Sequence, residues 1–182
     1  LISETDIFNV AFQKFKPIKI EKFIQEIFWR TYWRGWLELH PIIWNEYEKK
    51  IRDVEPPGKT GIKCFDHWTQ ELIETGYLHN HARMWYASIW IFTLNKNWID
   101  GALFFQKYLL DWCPAVNTLS WRWVAGLQTI GKNYIARADN IYKFTNYKYN
   151  PLNQLNETAP PLESLSSLNQ QIIDKEFEKI SF

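Results

Sequence analysis

Between Ile18 and Leu39 the apolar residues Ile20, Phe23, Ile24, Ile27 and Phe28 recur at i, i+3, i+4, i+7 and i+8, and nowhere in the chain does period-two alternation persist. Such a chain must bury helical stripes against one another, and the sequence predicts an irregular all-α domain. Pro17 closes a mixed opening stretch that reads as a helix entry or turn, and a short helix or turn follows near 42–51. DVEPPGKTG reads as a loop by its prolines and glycines. Beyond it, Phe65, Trp68 and Leu72 make the stripe of a helix that Gly76 terminates, and another runs from His79 to Leu94. Asp100 is the expected N-cap of a helix reaching Leu110, Pro114 forces a turn, and NTLSWRWVAG makes a short aromatic helix.

With 182 residues the chain fits one domain, and 46% hydrophobic with 23% charged residues excludes wholesale disorder. A net charge of +1 excludes a polybasic protein that holds nucleic acid by bulk charge. Composition divides the chain near residue 147: residues 1–146 read as the helical domain, and 147–182 as a polar, mostly irregular tail with one short helix at 170–180. The longest nearly uncharged apolar run, Met84 to Leu94, is too short to cross a bilayer. Two cysteines, Cys64 and Cys113, allow at most one disulfide in a chain that does not need stapling, so a reducing cytoplasm is the expected compartment. The Leu1 start, with no cationic and apolar leader, reads as a fragment.

The aromatic content stands apart. Eleven Trp, nine Tyr and twelve Phe make up 18% of the chain, and every Trp lies between positions 29 and 123. Each buried indole needs a partner for its N–H, so this density points beyond core packing to a stacking surface or an electron relay. Helical spacing also sets Glu26, Trp29, Arg30 and Trp33 within about a quarter turn of one another. Asn80, Arg83, Met84 and Ala87 share one side of the following helix pattern in the same way.

Common catalytic motifs are missing. There is no G-x-S-x-G elbow, and Cys64 with His67 has no orienting acid in view. His79 and His81 lie two apart, which on a helix turns them roughly 160° from each other, so no metal site is expected. GKTG lacks the upstream glycine of a phosphate-binding loop and is most simply a turn and helix start.

The strings QEIFWRTYW, GKTG, GYLHNHARMWYAS and DWCPAVNTLSWRWVAG, in that order, resemble the flavin-binding helical domain of the DNA photolyase and cryptochrome family over about Glu21 to Gly126. The resemblance implies an FAD at the centre of the helical domain, in a cavity sized for a flipped-out lesion of ultraviolet-damaged DNA. It places Asn117 beside flavin N5, Arg83 and Asp111 as an ion pair beside the ring system, and Trp112, Cys113 and Asn80 near the cofactor. Arg30 is the matched residue able to reach toward the phosphates. Glu26, Trp29, Asn80, Met84 and Trp123 fall at lesion-pocket positions, with Arg30, Trp33 and His81 as further DNA contacts. Trp121 and Trp98 match the proximal and middle members of the family's electron relay. Without the family, Arg83 and Asp111 would read as a structural ion pair, and Trp29, Met84 and Trp123 as core.

Departures from the family pattern are specific. At the outer relay position the chain reads Glu55, Pro56 and Pro57, none of which hosts a comparable radical, and Trp90, Trp112, Tyr86 or Trp68 are the substitutes that the sequence offers. Cys113 stands where an aspartate is common. The family's antenna domain and the serine-rich phosphate-gripping segment are not found in the sequence. The expected function is blue-light-driven lyase repair of pyrimidine dimers by a monomer, with DNA as partner and no membrane. A cryptochrome-type photoreceptor is the alternative, and a helical interaction domain that has lost its cofactor is a third class.

Overall fold

Ser3 and Asp6 cap each other across the first turn of α1 (Glu4–Lys14): the Asp6 amide donates to Ser3 Oγ at 3.1 Å, and Ser3 Oγ donates to the Asp6 carboxylate at 2.6 Å. The computed structural model describes residues 3–129 and 131–162, and every regular element among them is helical. The opening stretch, expected as a helix entry or turn, is thus a three-turn helix. It folds back on α2 (Pro17–Leu39), with Phe8 against Phe28 at 5.3 Å and Glu4 paired to Arg34 at 2.8 Å. Within the predicted α2 stripe Ile20 and Ile27 are buried, whereas Phe23 and Phe28 stay 50% and 59% exposed. Periodicity identifies a helix face correctly, but how much of that face is covered depends on which neighbours reach it.

Four elements carry the main core. These are α4 (Lys63–Thr75), α5 (Asn80–Ser88) with its π-helical extension Ile89–Thr93, α6 (Trp98–Tyr108) and α7 (Pro114–Ala125). The extension widens the helix by one residue per turn, as the Leu94 amide donating to the Ile89 carbonyl at 2.9 Å records. Phe65 stacks on Tyr86 at 4.3 Å, and Tyr86, Phe104 and Trp121 surround Trp90 at 6.0–6.2 Å. Each of these rings contributes about 1.5–3 kcal/mol by leaving water. Gly76 ends α4 at φ 68°, a left-handed conformation that a side chain would strain. The N-cap of α6 is Asn97, whose Oδ1 accepts from the Ile99 amide at 2.9 Å, not the expected Asp100. Asp100 pairs with Arg52 instead.

Helix α3 (Pro41–Glu48) and the loop 49–62 are pinned to α6 from outside: Tyr47 OH donates to Gln106 Oε1 at 3.1 Å, and Lys107 pairs with Asp53 at 2.7 Å. The last short helix is α8 (Ala138–Phe144). Packing continues past residue 147, where composition turns polar. Pro151 is buried, Asn156 Nδ2 donates to the Phe92 carbonyl at 3.2 Å, and the Leu162 amide donates to the Ala125 carbonyl at 3.1 Å. Polar side chains here strap the helices through hydrogen bonds, a role that hydrophobicity cannot reveal. The helix expected at 170–180 lies outside the described residues. Cys64 and Cys113 are both buried and unpaired, and burial pushes the Cys64 thiol up to about 11. Among the described residues no helix is long and apolar enough to cross a membrane.

In the GKTG turn, Asp66 accepts from the Thr60 amide (2.9 Å), Thr60 Oγ1 (2.7 Å) and the Gly61 amide (3.1 Å). An internal carboxylate thus occupies the amide donors of this turn. Burial acts to raise the Asp66 pKa, but the hydrogen bonds from Thr60 and Gly61 outweigh it and leave the group below its ordinary value. A carboxyl depressed in the folded state stabilises above its unfolded value, near 4, and that contribution is lost as pH falls through the folded value. Asp66→Asn is expected to cost about 1–3 kcal/mol at neutral pH and to lose less stability than the parent on acidification to about pH 3, measured by urea midpoints. Equal acid sensitivity of the two proteins would refute this role. A second expectation concerns Gly101, where an added Cβ would lie 2.2 Å from the Trp121 ring. Gly101→Ala gains helix propensity yet is expected to lose about 1–3 kcal/mol net, because both ring and backbone are rigid. A stabilised variant in the same titration would show that the ring has room.

Candidate flavin and DNA site

Helices α2, α5, α6 and α7, with the turns after α4 and α6, converge on a cavity of about 590 Å³. From α2 come Glu26, Trp29, Arg30 and Trp33, residues at i, i+3, i+4 and i+7 and so on one face. From α5 come Asn80, Arg83, Met84 and Ala87 with the same spacing. The α6–α7 turn supplies Asp111, Trp112 and Cys113, and α7 supplies Val116, Asn117, Ser120, Trp121, Trp123 and Val124. Both helical stripes singled out in the sequence therefore face one space. His81 and Trp98 do not line it: His81 stacks on Trp85 at 4.4 Å, and Trp98 is buried against Tyr47 and Arg122. Burial, and then the charge of His79, hold the His81 imidazole below its ordinary value.

The lining is graded from rim to floor. Glu26, Trp29 and Asn80 are exposed, Met84 and Trp123 are half-buried, and Cys113, Asn117 and Trp121 are buried. At the rim Trp29 meets Tyr32 edge-on at 5.4 Å and Trp33 at 5.9 Å, while Trp123 stacks on Tyr134 at 5.7 Å. Two aromatic faces thus border the opening.

On the floor Asn117 Nδ2 donates to the Ala102 carbonyl at 2.9 Å. That bond sets the amide orientation, because a carbonyl accepts only from the NH2 side, and Oδ1 is left as an acceptor. Arg83 is held twice, with Nε donating to the Leu78 carbonyl at 2.8 Å and the guanidinium paired to Asp111 at 3.1 Å. It also lies 5.4 Å over the Tyr77 ring. Trp112 Nε1 is buried without a hydrogen-bond partner, an orphaned donor in the wall of the cavity.

Sequence reasoning missed Tyr77, Leu78, Phe105, Leu109, Val116, Ser120 and Val124 among the lining residues. For Ser120 and Val124 the signal was present, since they share helical spacing with Asn117 and Trp121, and Val116 shares it with Ser120 and Trp123. Tyr77 and Leu78 arrive through the turn that Gly76 opens, and Phe105 and Leu109 come from α6 and its C-cap, which no motif marked. Among the described residues no three His, Cys, Asp or Glu gather into a metal site.

The model of the FAD-binding domain of DNA photolyase matches residues 23–161. A deoxyribodipyrimidine photo-lyase of Streptomyces griseus is 31% identical over 143 residues, covering 66% of this chain and 31% of the relative. That of Agrobacterium fabrum is 32% identical over 120 residues, covering 59% and 25%. That of Vibrio cholerae is 27% identical over 160 residues, covering 79% and 33%. The chain spans about a third or less of the length of these relatives. No solved structure matches it significantly.

The cavity fits a flavin ring system by its own chemistry: a buried amide acceptor, a fixed guanidinium, an orphaned indole donor and flat apolar walls. Arg30, also in the lining, has no ion-pair partner among the described residues. With its cofactor FAD, this chain belongs to the family of the FAD-binding domain of DNA photolyase.

Proposed function

We propose that the chain is the flavin-binding, catalytic part of a light-driven lyase that splits pyrimidine dimers in ultraviolet-damaged DNA. The observation that carries the reading is the graded cavity, whose buried floor holds polar groups suited to a flavin and whose open rim holds a carboxylate between aromatic faces. FAD, when bound, supplies the one-electron chemistry that opens the dimer on illumination. The residues of the chain bind, orient and exclude water.

Asn117, fixed by Ala102, presents Oδ1 to an N–H donor such as reduced flavin N5. Arg83 places a cation beside the ring system, where it favours an anionic reduced state, and Asp111 offsets its burial. At the rim Trp29 and Trp123 give faces against which the splayed bases of a lesion stack, and Met84 fills irregular gaps between them. Glu26 is the carboxylate that accepts from a thymine N–H or delivers a proton to the opened base. Flipping favours damaged pairs because their stacking and pairing are already weak. An exposed aromatic rim favours a base as occupant over the partner contact that a photoreceptor would make.

Illumination of the FAD-loaded, chemically reduced chain with dimer-containing single-stranded DNA is expected to restore normal bases. Flavin bound without repair would overturn the lyase reading and leave the photoreceptor. Glu26→Ala is expected to keep flavin content within about twofold and to lower repair about tenfold or more, as removal of one charge-assisted hydrogen bond implies. Asn117→Ala is expected to weaken FAD binding about 2–10-fold, read by titration of flavin fluorescence. Unchanged affinity would remove Asn117 from the cofactor site.

A further inference from the structure

The aromatic contacts around Trp98 do not stop where the family's outer relay position is lost to Glu55, Pro56 and Pro57. Trp98 stacks on Tyr47 with centroids 6.3 Å apart and planes 24° apart, and Tyr47 meets Trp44 at 5.5 Å. Trp44 and Tyr47 sit three residues apart on α3, one above the other. On the inner side, the Trp121 ring lies against Gly101, one turn along α6 from Trp98. Trp121, Trp98 and Tyr47 are buried, while Trp44 is half-buried and reaches solvent. Ring contacts therefore lead from Trp98 to the surface, and Trp121 on the cavity floor sits against Gly101, one turn along α6 from Trp98.

We propose that Trp44 is the terminal electron donor of this chain, reached from Trp98 across the ring of Tyr47. The proposal rests on the flavin reading above, because it needs a one-electron oxidant in the cavity, namely an oxidised flavin excited by light. Trp121 gives up one electron to that oxidant, Trp98 refills Trp121, and Trp44 refills Trp98. The oxidised Trp44 indole releases its N–H proton to water. A diffusing thiol then transfers a hydrogen atom back to the indole nitrogen and leaves as a thiyl radical.

The surroundings decide where the positive charge rests. Arg122 lies 5.9 Å over Trp98, and a guanidinium there disfavours a cation on the same indole. Trp90 also touches Trp121, edge-on at 6.2 Å, but that branch ends inside the core. Its ring carries Lys96 at 5.4 Å, its N–H is held by the Asn97 carbonyl at 2.9 Å, and its other ring contacts, Phe65, Tyr86 and Phe104, are fully buried. Tyr47 cannot hold the charge, since its hydroxyl faces the weakly basic amide of Gln106 and burial pushes its phenol well above the ordinary range. It serves as a bridge. Trp44 has solvent beside it and no cation over its ring among the described residues.

The test uses the full chain loaded with oxidised FAD, its flavin content read by absorption. In Trp44→Phe, flavin content is expected to stay at the parent level, and the initial rate of light-driven flavin reduction with thiol present is expected to fall tenfold or more. Tyr47→Leu, which removes the bridging ring, is expected to slow it as well. Trp68→Phe, a core tryptophan outside these contacts, is expected to leave it unchanged. In the unaltered protein illuminated in air without thiol, peptide mass spectrometry is expected to find oxygen added at Trp44. A parental rate in Trp44→Phe with flavin bound, or oxidation mapped to Trp68 or Trp90 instead, would overturn the relay and leave the flavin reading standing. Failure of the parent chain to hold FAD would overturn both.

Discussion

The contact on which the site depends is the seating of α7 against α6 through Trp121 and Asn117. The Trp121 ring lies directly on the Gly101 backbone, and one residue further along α6 the Ala102 carbonyl accepts from Asn117 Nδ2. Any side chain at position 101 would lift α7 away. The absence of a Cβ there allows a rigid ring and a rigid helix to approach closely enough for the amide to reach its acceptor. One steric fact therefore sets the depth of the cavity floor, the orientation of the amide in it, and the position of the indole beneath it.

Charge is handled differently at floor and rim. The Arg83 guanidinium is held by the Leu78 carbonyl and the Asp111 carboxylate, so a cation stays beside a partly buried space at tolerable desolvation cost. At the rim Glu26 is exposed and keeps its hydration until a ligand displaces it. The cavity lining contains two cations and two carboxylates, so it has no bulk attraction for phosphate, in keeping with the small net charge of the chain.

Much of this arrangement was legible in the sequence where helical spacing applied. The sets Glu26, Trp29, Arg30, Trp33 and Asn80, Arg83, Met84, Ala87 follow from 3.6 residues per turn, and each does face a common space. Other features were hidden because they depend on contacts across long separations. The N-cap of α6 is Asn97, and Asp100 is engaged by Arg52, 48 residues upstream. Phe23 and Phe28 fit the stripe of α2 yet remain exposed, since coverage depends on neighbours. The polar stretch after residue 147 packs through Asn156 and Leu162, whose partners lie on other helices.

By itself the sequence determined the core helices from α2 to α7, the residues sharing each helical face and, through four ordered motifs, the family, but neither α1 nor α8. Those properties are local or sit in contiguous strings, and backbone geometry transmits them without reference to the rest of the chain. Tertiary structure alone decided that the Asn117 amide turns its oxygen free, that Trp112 keeps an unmet donor, and that Trp98 continues into Tyr47 and Trp44. Each of these depends on distances of a few ångströms between residues far apart in the chain, which only the packing of whole helices can set.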